Sequence, residues 1–519
     1  MNLALLILLP VLASCGVLLV RDVKQVRWIA LAGAVAQVFL CGFLLMAYTQ
    51  ERSAGNTAAF LFEQRAVWFA AFNIQYYAGV DGISVAMIMM TALVVVAGVL
   101  VSWKVEKLTK EFFFLLLFLS AGAYGFFVSL DLFMLFFFLE LAVIPKFLLI
   151  AIWGSGRKEY SANKLALMLM GGSALVFLGL LAVYFYNGTP TFDLVAISKT
   201  HLPLAVQSKF FPFLFLGFGV FGALFPFHTW VPDGHSSAPT AASRFLAGIS
   251  MKLGGYGCLR VATYLMPEGA HEYQWLIILL SAIAILYGSF ATLMQKDLKY
   301  INAYSSVSHC GFVLLGIGML TKTAITGAVM QMVSHGLMTA LFFAAIGMLY
   351  ERTHTRMVSQ MGGLLKLTPF IGTVFFIAGL CSLGLPGFSG FAAEMTVFMG
   401  AWQNPDMWYR AATIAACASI VVTAVYILRA LGAVMWGELK VPGFKFQVSS
   451  DTANEISNNE HRIMNAEQIP FGDAEWNEKL AAVILIAGIV VIGVAPFLLQ
   501  KLLNPAAEEI SRQVLRAAF

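Results

Sequence analysis

Eight ionisable side chains stand inside apolar runs. Glu140 and Lys146 lie six residues apart in FFFLELAVIPKFLLI, Lys252, Glu394 and Arg429 stand in other such runs, and His228, His309 and His335 are embedded or nearly so. A charge at bilayer depth costs at least about 2.5–3.5 kcal/mol on insertion scales. Carboxylate, imidazole and amine start from widely spaced pKa values. Burial raises acids and lowers bases, so the three types converge to a range where a proton passes between them. A line of such groups is what proton conduction requires. Buried ion pairs that fix helix packing are the other use. Five charges and three histidines in a chain so poor in charge favour a proton or ion path.

The elements that position these groups follow from composition. The chain has 519 residues, 60% hydrophobic and 11% charged, with a mean hydropathy of +0.83. Soluble proteins carry about 25% charged residues. The pattern is that of an all-α polytopic membrane protein. Apolar runs long enough to cross about 30 Å of hydrocarbon recur at 2–20, 26–48, 83–103, 112–130, 132–153, 163–186, 209–232, 240–264, 274–294, 300–320, 323–349, 369–400, 410–436 and 480–500, about 14 transmembrane helices. The first is too long for a signal segment and lacks a basic lead, so it reads as a retained helix.

The seventh run contains FGALFPFHTWVPDG and the twelfth CSLGLPGFSGF. Proline and glycine interrupt both, five helices apart, which suggests two inverted five-helix repeats, helices 4–8 and 9–13, with helices 7 and 12 broken. The domains read as 1–110 (helices 1–3), 111–265 (first repeat), 266–436 (second repeat), 437–479 (a polar loop) and 480–519 (helix 14 and an amphipathic tail). The tail suits the membrane surface. Alternate connections carry nineteen basic residues against seven. The positive-inside rule therefore puts both termini outside.

The six cysteines are scattered with no CxxC spacing, so they read as inert buried thiols rather than a metal site. The chain has no phosphate loop or dinucleotide fingerprint. Its net charge of +5 marks topology rather than nucleic-acid binding.

Several runs resemble one family. FFFLELAVIPKFLLIAIWG, TWVPDGHSSAPTAASRFLAGISMKLGGYGCLR, KDLKYINAYSSVSHCGFVLLGIG, QMVSHGL and YERTHTRMVSQMGGL are similar to the antiporter-like, proton-pumping membrane subunits of respiratory complex I (NADH:quinone oxidoreductase), over about residues 110–400. The YERTHTR run and the length point to the M-chain type. The resemblance implies proton translocation coupled to electron transfer in partner subunits, which would bind FMN, iron–sulfur clusters and NADH and handle the quinone. It implies no cofactor in this chain. It also implies neighbouring antiporter-like chains, membrane lipid as surroundings, and a bacterial inner (plasma) membrane. A D-type subunit of a multisubunit Na+/H+ antiporter and a membrane subunit of a membrane-bound hydrogenase share these helices and remain alternatives.

Carried over by resemblance, Glu140 is the fifth-helix glutamate, Lys252 the central lysine of the eighth helix, His309 and His335 the relay histidines, and Glu394 the terminal acid of the twelfth helix. Arg429 is a candidate to tune Glu394, and His228 a secondary carrier. The family usually has a lysine seven residues before the histidine of the PxH run; here that residue is Phe221. Directly after the fifth-helix proline it usually has an uncharged residue; here that is Lys146. The missing base is thus expected to have moved from helix seven to helix five. Six residues turn a helix by about 240° and rise about 9 Å, so direct pairing with Glu140 needs a kink at Pro145. Snorkelling of Lys146 to the surface is the alternative.

Overall fold

The computed structural model describes residues 1–200, 202–442 and 472–516. The first part of the chain forms α1 (Ala4–Leu19), α2 (Val23–Ser53), a hairpin of β1 (Leu61–Phe69) and β2 (Ile74–Val80), α3 (Gly82–Val101) and α4 (Thr109–Val128). There follow α5 (Leu132–Leu141), α6 (Val143–Trp153), α7 (Lys158–Tyr186), α8 (Leu194–Lys199), α9 (Leu204–Phe221), α10 (Trp230–Ser237), α11 (Thr240–Phe245) and α12 (Met251–Gly257). The remainder is α13 (Pro267–Glu272), α14 (Gln274–Leu293), α15 (Leu298–Gly318), α16 (Lys322–Thr353), α17 (Pro369–Ser382), α18 (Ser389–Trp402), α19 (Met407–Met435), α20 (Trp476–Val494) and α21 (Pro496–Arg516).

Ten helical spans among the described residues, with α5 and α6 counted together as one, are long and apolar enough to cross a membrane. The other four apolar windows hold α1, which is short, α15, which is polar for its length, and the interrupted α11–α12 and α17–α18. Six aspartates set helix starts. Asp22, Asp81, Asp131, Asp193, Asp297 and Asp406 each accept a backbone N–H of the first turn, satisfying donors that lipid cannot. The longest helix, α16, is apolar on every side and buried along most of its length, as a central helix must be. It packs against α3, α15, α17, α18, α20 and α21.

Alternate connections gather on opposite faces, as the charge pattern requires. On the basic face Ser155 N donates to Ser237 O (2.8 Å) and Arg356 Nη1 to Ser236 O (2.7 Å), while Asp297 bridges Met357. On the other face Leu130 N donates to Tyr77 O and Leu132 N to Phe192 O, both at 2.8 Å.

The structure departs from the sequence reading in four places. The β-hairpin, antiparallel with Leu61 opposite Val80, was not foreseen, because β1 alternates too weakly to stand out from a loop. The tail helix α21 does not simply lie on lipid: Leu499, Leu503, Ala506, Ala507, Ile510 and Val514 turn its apolar stripe onto protein, against α16, α3 and α13. Arg244, Arg260, Lys299 and Arg352, which read as loop bases, are buried. Arg260 pairs with the buried Asp81, and Arg352 with Glu478 at 2.7 Å. Two of the cysteines are not buried: Cys15 is exposed and Cys417 half-buried. Most of the polar loop 437–479, residues 443–471, lies outside the described residues.

Candidate functional site

The fifth apolar window is not one helix. Pro145 has no N–H to give the Leu141 carbonyl, and the chain divides into α5 and α6 at Ala142. Glu140 lies in the last turn of α5 and accepts a hydrogen bond from Ser173 Oγ of α7. Lys146, one turn into α6, is only 1% exposed, and its Nζ has no hydrogen-bond partner. Snorkelling is therefore excluded. The two charges lie within electrostatic reach of each other. Phe221, the site of the missing lysine, ends α9 and is also buried. Just beyond it Ala223 takes a left-handed conformation (φ +60°), unusual for a residue with a Cβ, and Trp230 Nε1 spans the gap to Val220 O at 2.9 Å. His228 lies in this break, its ring 5.5 Å from Phe225 and 4.9 Å from Tyr287, with Nδ1 unpartnered.

Lys252 stands between two π-helical turns, Leu246–Ser250 and Cys258–Thr263. Met251 N–H reaches back five residues to Leu246 O, and the Ala247 carbonyl in this turn receives the Lys252 amine. Local widening of this kind recurs at functional positions. Lys252 Nζ is also 2.7 Å from His335 Nδ1 on α16. The rings of His335 and His309, the latter on α15, have centroids 5.2 Å apart. His309 Nδ1 lies 3.5 Å from Glu394 Oε1 on α18 and 3.2 Å from Gln331 Nε2, and His309 Nε2 lies 3.1 Å from Ser382 Oγ.

The break between α17 and α18 meets this line. Gly384 has φ +75°, and a Cβ there would stand 2.6 Å from Glu394 Oε2, so the carboxylate lies against the backbone of the interrupted span. Lys252, His335, His309 and Glu394 thus form one buried series. Glu140 and Lys146 form a second group, which makes no direct contact with the first. A small cavity beside Lys252, lined by Gly222, Met251, Gly255, Cys310 and Met332, lies on the side where Phe221 ends α9.

Arg429 does not belong to the series. It is exposed, and its Nη2 donates to Leu293 O at 2.5 Å; a long side chain on the outer side of α19 finds a helix-end carbonyl before it can reach Glu394. His235 was missed. It is fully buried, both ring nitrogens lack partners, and the ring lies 5.6 Å from that of Phe343. The PDGH run containing it was visible but read as a connection. Among the described residues no group of three or more His, Cys, Asp and Glu could hold a metal ion.

A family model described as NADH:quinone oxidoreductase/Mrp antiporter, transmembrane, matches residues 129–421, which contain all of these residues except Arg429. The chain belongs to this family. It is 35% identical to NAD(P)H-quinone oxidoreductase chain 4 2 of Microcystis aeruginosa, over 99% of this chain and 94% of that protein. It is 33% identical to the chloroplastic chain 4 of Angiopteris evecta, over 98% and 99%. Its fold matches a chain of respiratory complex I from Thermus thermophilus with a TM-score of 0.86 and 25% identity, covering 99% of this chain and 100% of that one. A chain of the Mrp complex from Dietzia matches at a TM-score of 0.81 and 19% identity, covering 99% of each; that likeness is one of fold.

Proposed function

We propose that this family member is the proton-translocating membrane subunit of a respiratory NADH:quinone oxidoreductase, and that its protons move through Glu140, Lys146, Lys252, His335, His309 and Glu394. The observation that carries the reading is the buried series from Lys252 to Glu394. Amine, imidazole, imidazole and carboxylate follow one another at 2.7 Å, 5.2 Å between rings and 3.5 Å. Packing alone does not call for two adjacent histidines there. The break beside Glu394 suits proton release, because half-helix ends admit water.

The electron-transfer chemistry belongs to partner subunits, with FMN, iron–sulfur clusters, NADH and quinone. The chain would sit beside other antiporter-like subunits in a bacterial plasma membrane, with the basic face inside and both termini outside. Spans 4–8 and 9–13 are its two inverted repeats, and the seventh and twelfth spans, α9–α10 and α17–α18, are interrupted in corresponding places. Lys146 takes the place of the base absent at Phe221: it is buried and unpartnered, and it shares a divided span with Glu140. NADH-driven proton movement in membrane vesicles tests the reading. Substituting Lys252 should stop it while the complex still assembles.

A further inference from the structure

The interrupted twelfth span holds His309 from two sides. Ser382 is the last residue of α17, and its Oγ lies 3.1 Å from His309 Nε2. Glu394 stands in α18, and its Oε1 lies 3.5 Å from His309 Nδ1. Ser382 is 1% and Glu394 4% exposed. On one continuous helix these two residues would stand about 18 Å apart along the axis. The break between α17 and α18 lets both meet a single imidazole.

A neutral imidazole carries its proton on one nitrogen or the other, and the hydrogen bond made by one nitrogen sets the state of the other. A ring that hands a proton to Glu394 from Nδ1 is left with its remaining proton on Nε2. Two neighbours favour that form. The Ser382 oxygen accepts from Nε2–H. On the other side the Gln331 amide nitrogen, 3.2 Å from Nδ1, donates and needs a lone pair there. A hydroxyl that accepts still has its own O–H to place. The Tyr426 hydroxyl of α19, buried close to Ser382 and without a partner, is open to receive it.

We propose that Ser382 is a positioning residue that holds the proton of neutral His309 on Nε2 and so keeps Nδ1 as the nitrogen that exchanges protons with Glu394. The assignment rests on the relay proposed above. Without the hydroxyl, Nε2–H loses its acceptor. The tautomer with its proton on Nδ1, where the Glu394 carboxylate accepts it, then gains. The next proton to arrive goes to Nε2, on the side away from the acid.

The test uses the assembled complex in its native membrane, with isotope-labelled histidine. The infrared ring C–N stretch separates the two neutral tautomers, and the His309 band is the part missing from His309→Gln. In wild type at alkaline pH, where imidazole is neutral, the band should be that of the Nε2–H form. Ser382→Ala should move most of it to the Nδ1–H form and lower NADH-driven pumping about fivefold, the worth of one neutral hydrogen bond. Ser382→Thr keeps the hydroxyl and should keep the wild-type band and most of the pumping. Subunit content on native gels should be unchanged in both. An Nδ1–H band in wild type, or a band that Ser382→Ala leaves in place, would overturn the proposal. A shifted band with wild-type pumping would overturn the relay through His309 rather than the hydrogen bond.

Discussion

Lys252 Nζ stands 2.7 Å from His335 Nδ1, joining the eighth apolar span to the eleventh inside a wall of buried side chains. The π turn at Leu246–Ser250 lies just before Lys252 and contains the Ala247 carbonyl that the same amine also reaches. An amine held by one carbonyl and one imidazole has a single partner able to take its proton. Imidazole is suited to pass it on, since it has two ring nitrogens; His335 Nδ1 faces the amine, and Nε2 is buried without a hydrogen-bond partner in a ring 5.2 Å from that of His309.

Glu140 is the acid of the second group, apart from the series. Its contact is a hydroxyl, Ser173, which can hydrogen-bond a carboxylate or a carboxylic acid. Glu140→Gln keeps the shape and the hydrogen bond but removes the proton exchange. NADH-driven proton uptake by inverted vesicles should fall to below about a tenth of wild type, because a positioned proton carrier is worth roughly a hundredfold or more. The complex should assemble at wild-type levels on native gels.

At Glu394 the carboxylate must reach both His309 and the break at Gly384. Glu394→Asp shortens the side chain but keeps its titration, while Glu394→Gln removes it. Expected is partial pumping in the aspartate variant and much lower pumping in the glutamine variant, read in the same vesicles. Equal, near-normal rates would remove Glu394 from the path.

Lys146 and Phe221 are tested as a pair. Lys146→Met retains the apolar stem and deletes the charge. Pumping should fall about as far as in Glu140→Gln, and Lys146→Met with Phe221→Lys should recover part of it. A fully active Lys146→Met complex would leave the carrier role to another group, with His228 the nearest candidate in the broken span.

The apolar windows were legible because lipid demands long apolar helices whose backbone groups are satisfied internally. The breaks at Pro226 and Pro386 were legible because proline and glycine mark them. Glu140, Lys146, Lys252 and Glu394 stood out as charges among hydrocarbon. The burial of Arg244, Arg260, Lys299 and Arg352 was not legible, since a base near a span end has the same sequence signature whether it faces water or a partner carboxylate far along the chain. Asp81 meets Arg260 across 179 positions, and no local pattern reports that. The π turns beside Lys252 were hidden for the same reason, because GISMKLGGYG is compatible with several helical windings.

The Asp81–Arg260 pair gives a stability prediction. Asp81 also caps α3 by accepting from Ser84 N at 2.9 Å. Asp81→Ala would leave a buried guanidinium uncompensated, a loss of about 3–5 kcal/mol. A lower thermal midpoint and poor accumulation of the chain are expected. Asp81→Leu combined with Arg260→Leu should recover much of the stability. If Asp81→Ala leaves the midpoint unchanged, the pair contributes little.

The most direct measurement is the rate of proton translocation during NADH oxidation by vesicles containing the assembled complex with Lys252→Met, compared with wild type. Methionine preserves the stem in its cavity and cannot carry a proton. Loss of pumping to below about a tenth of wild type, with subunit content intact, is the expected result. An assembled Lys252→Met complex that moves protons at the wild-type rate would contradict a relay through Lys252, His335, His309 and Glu394.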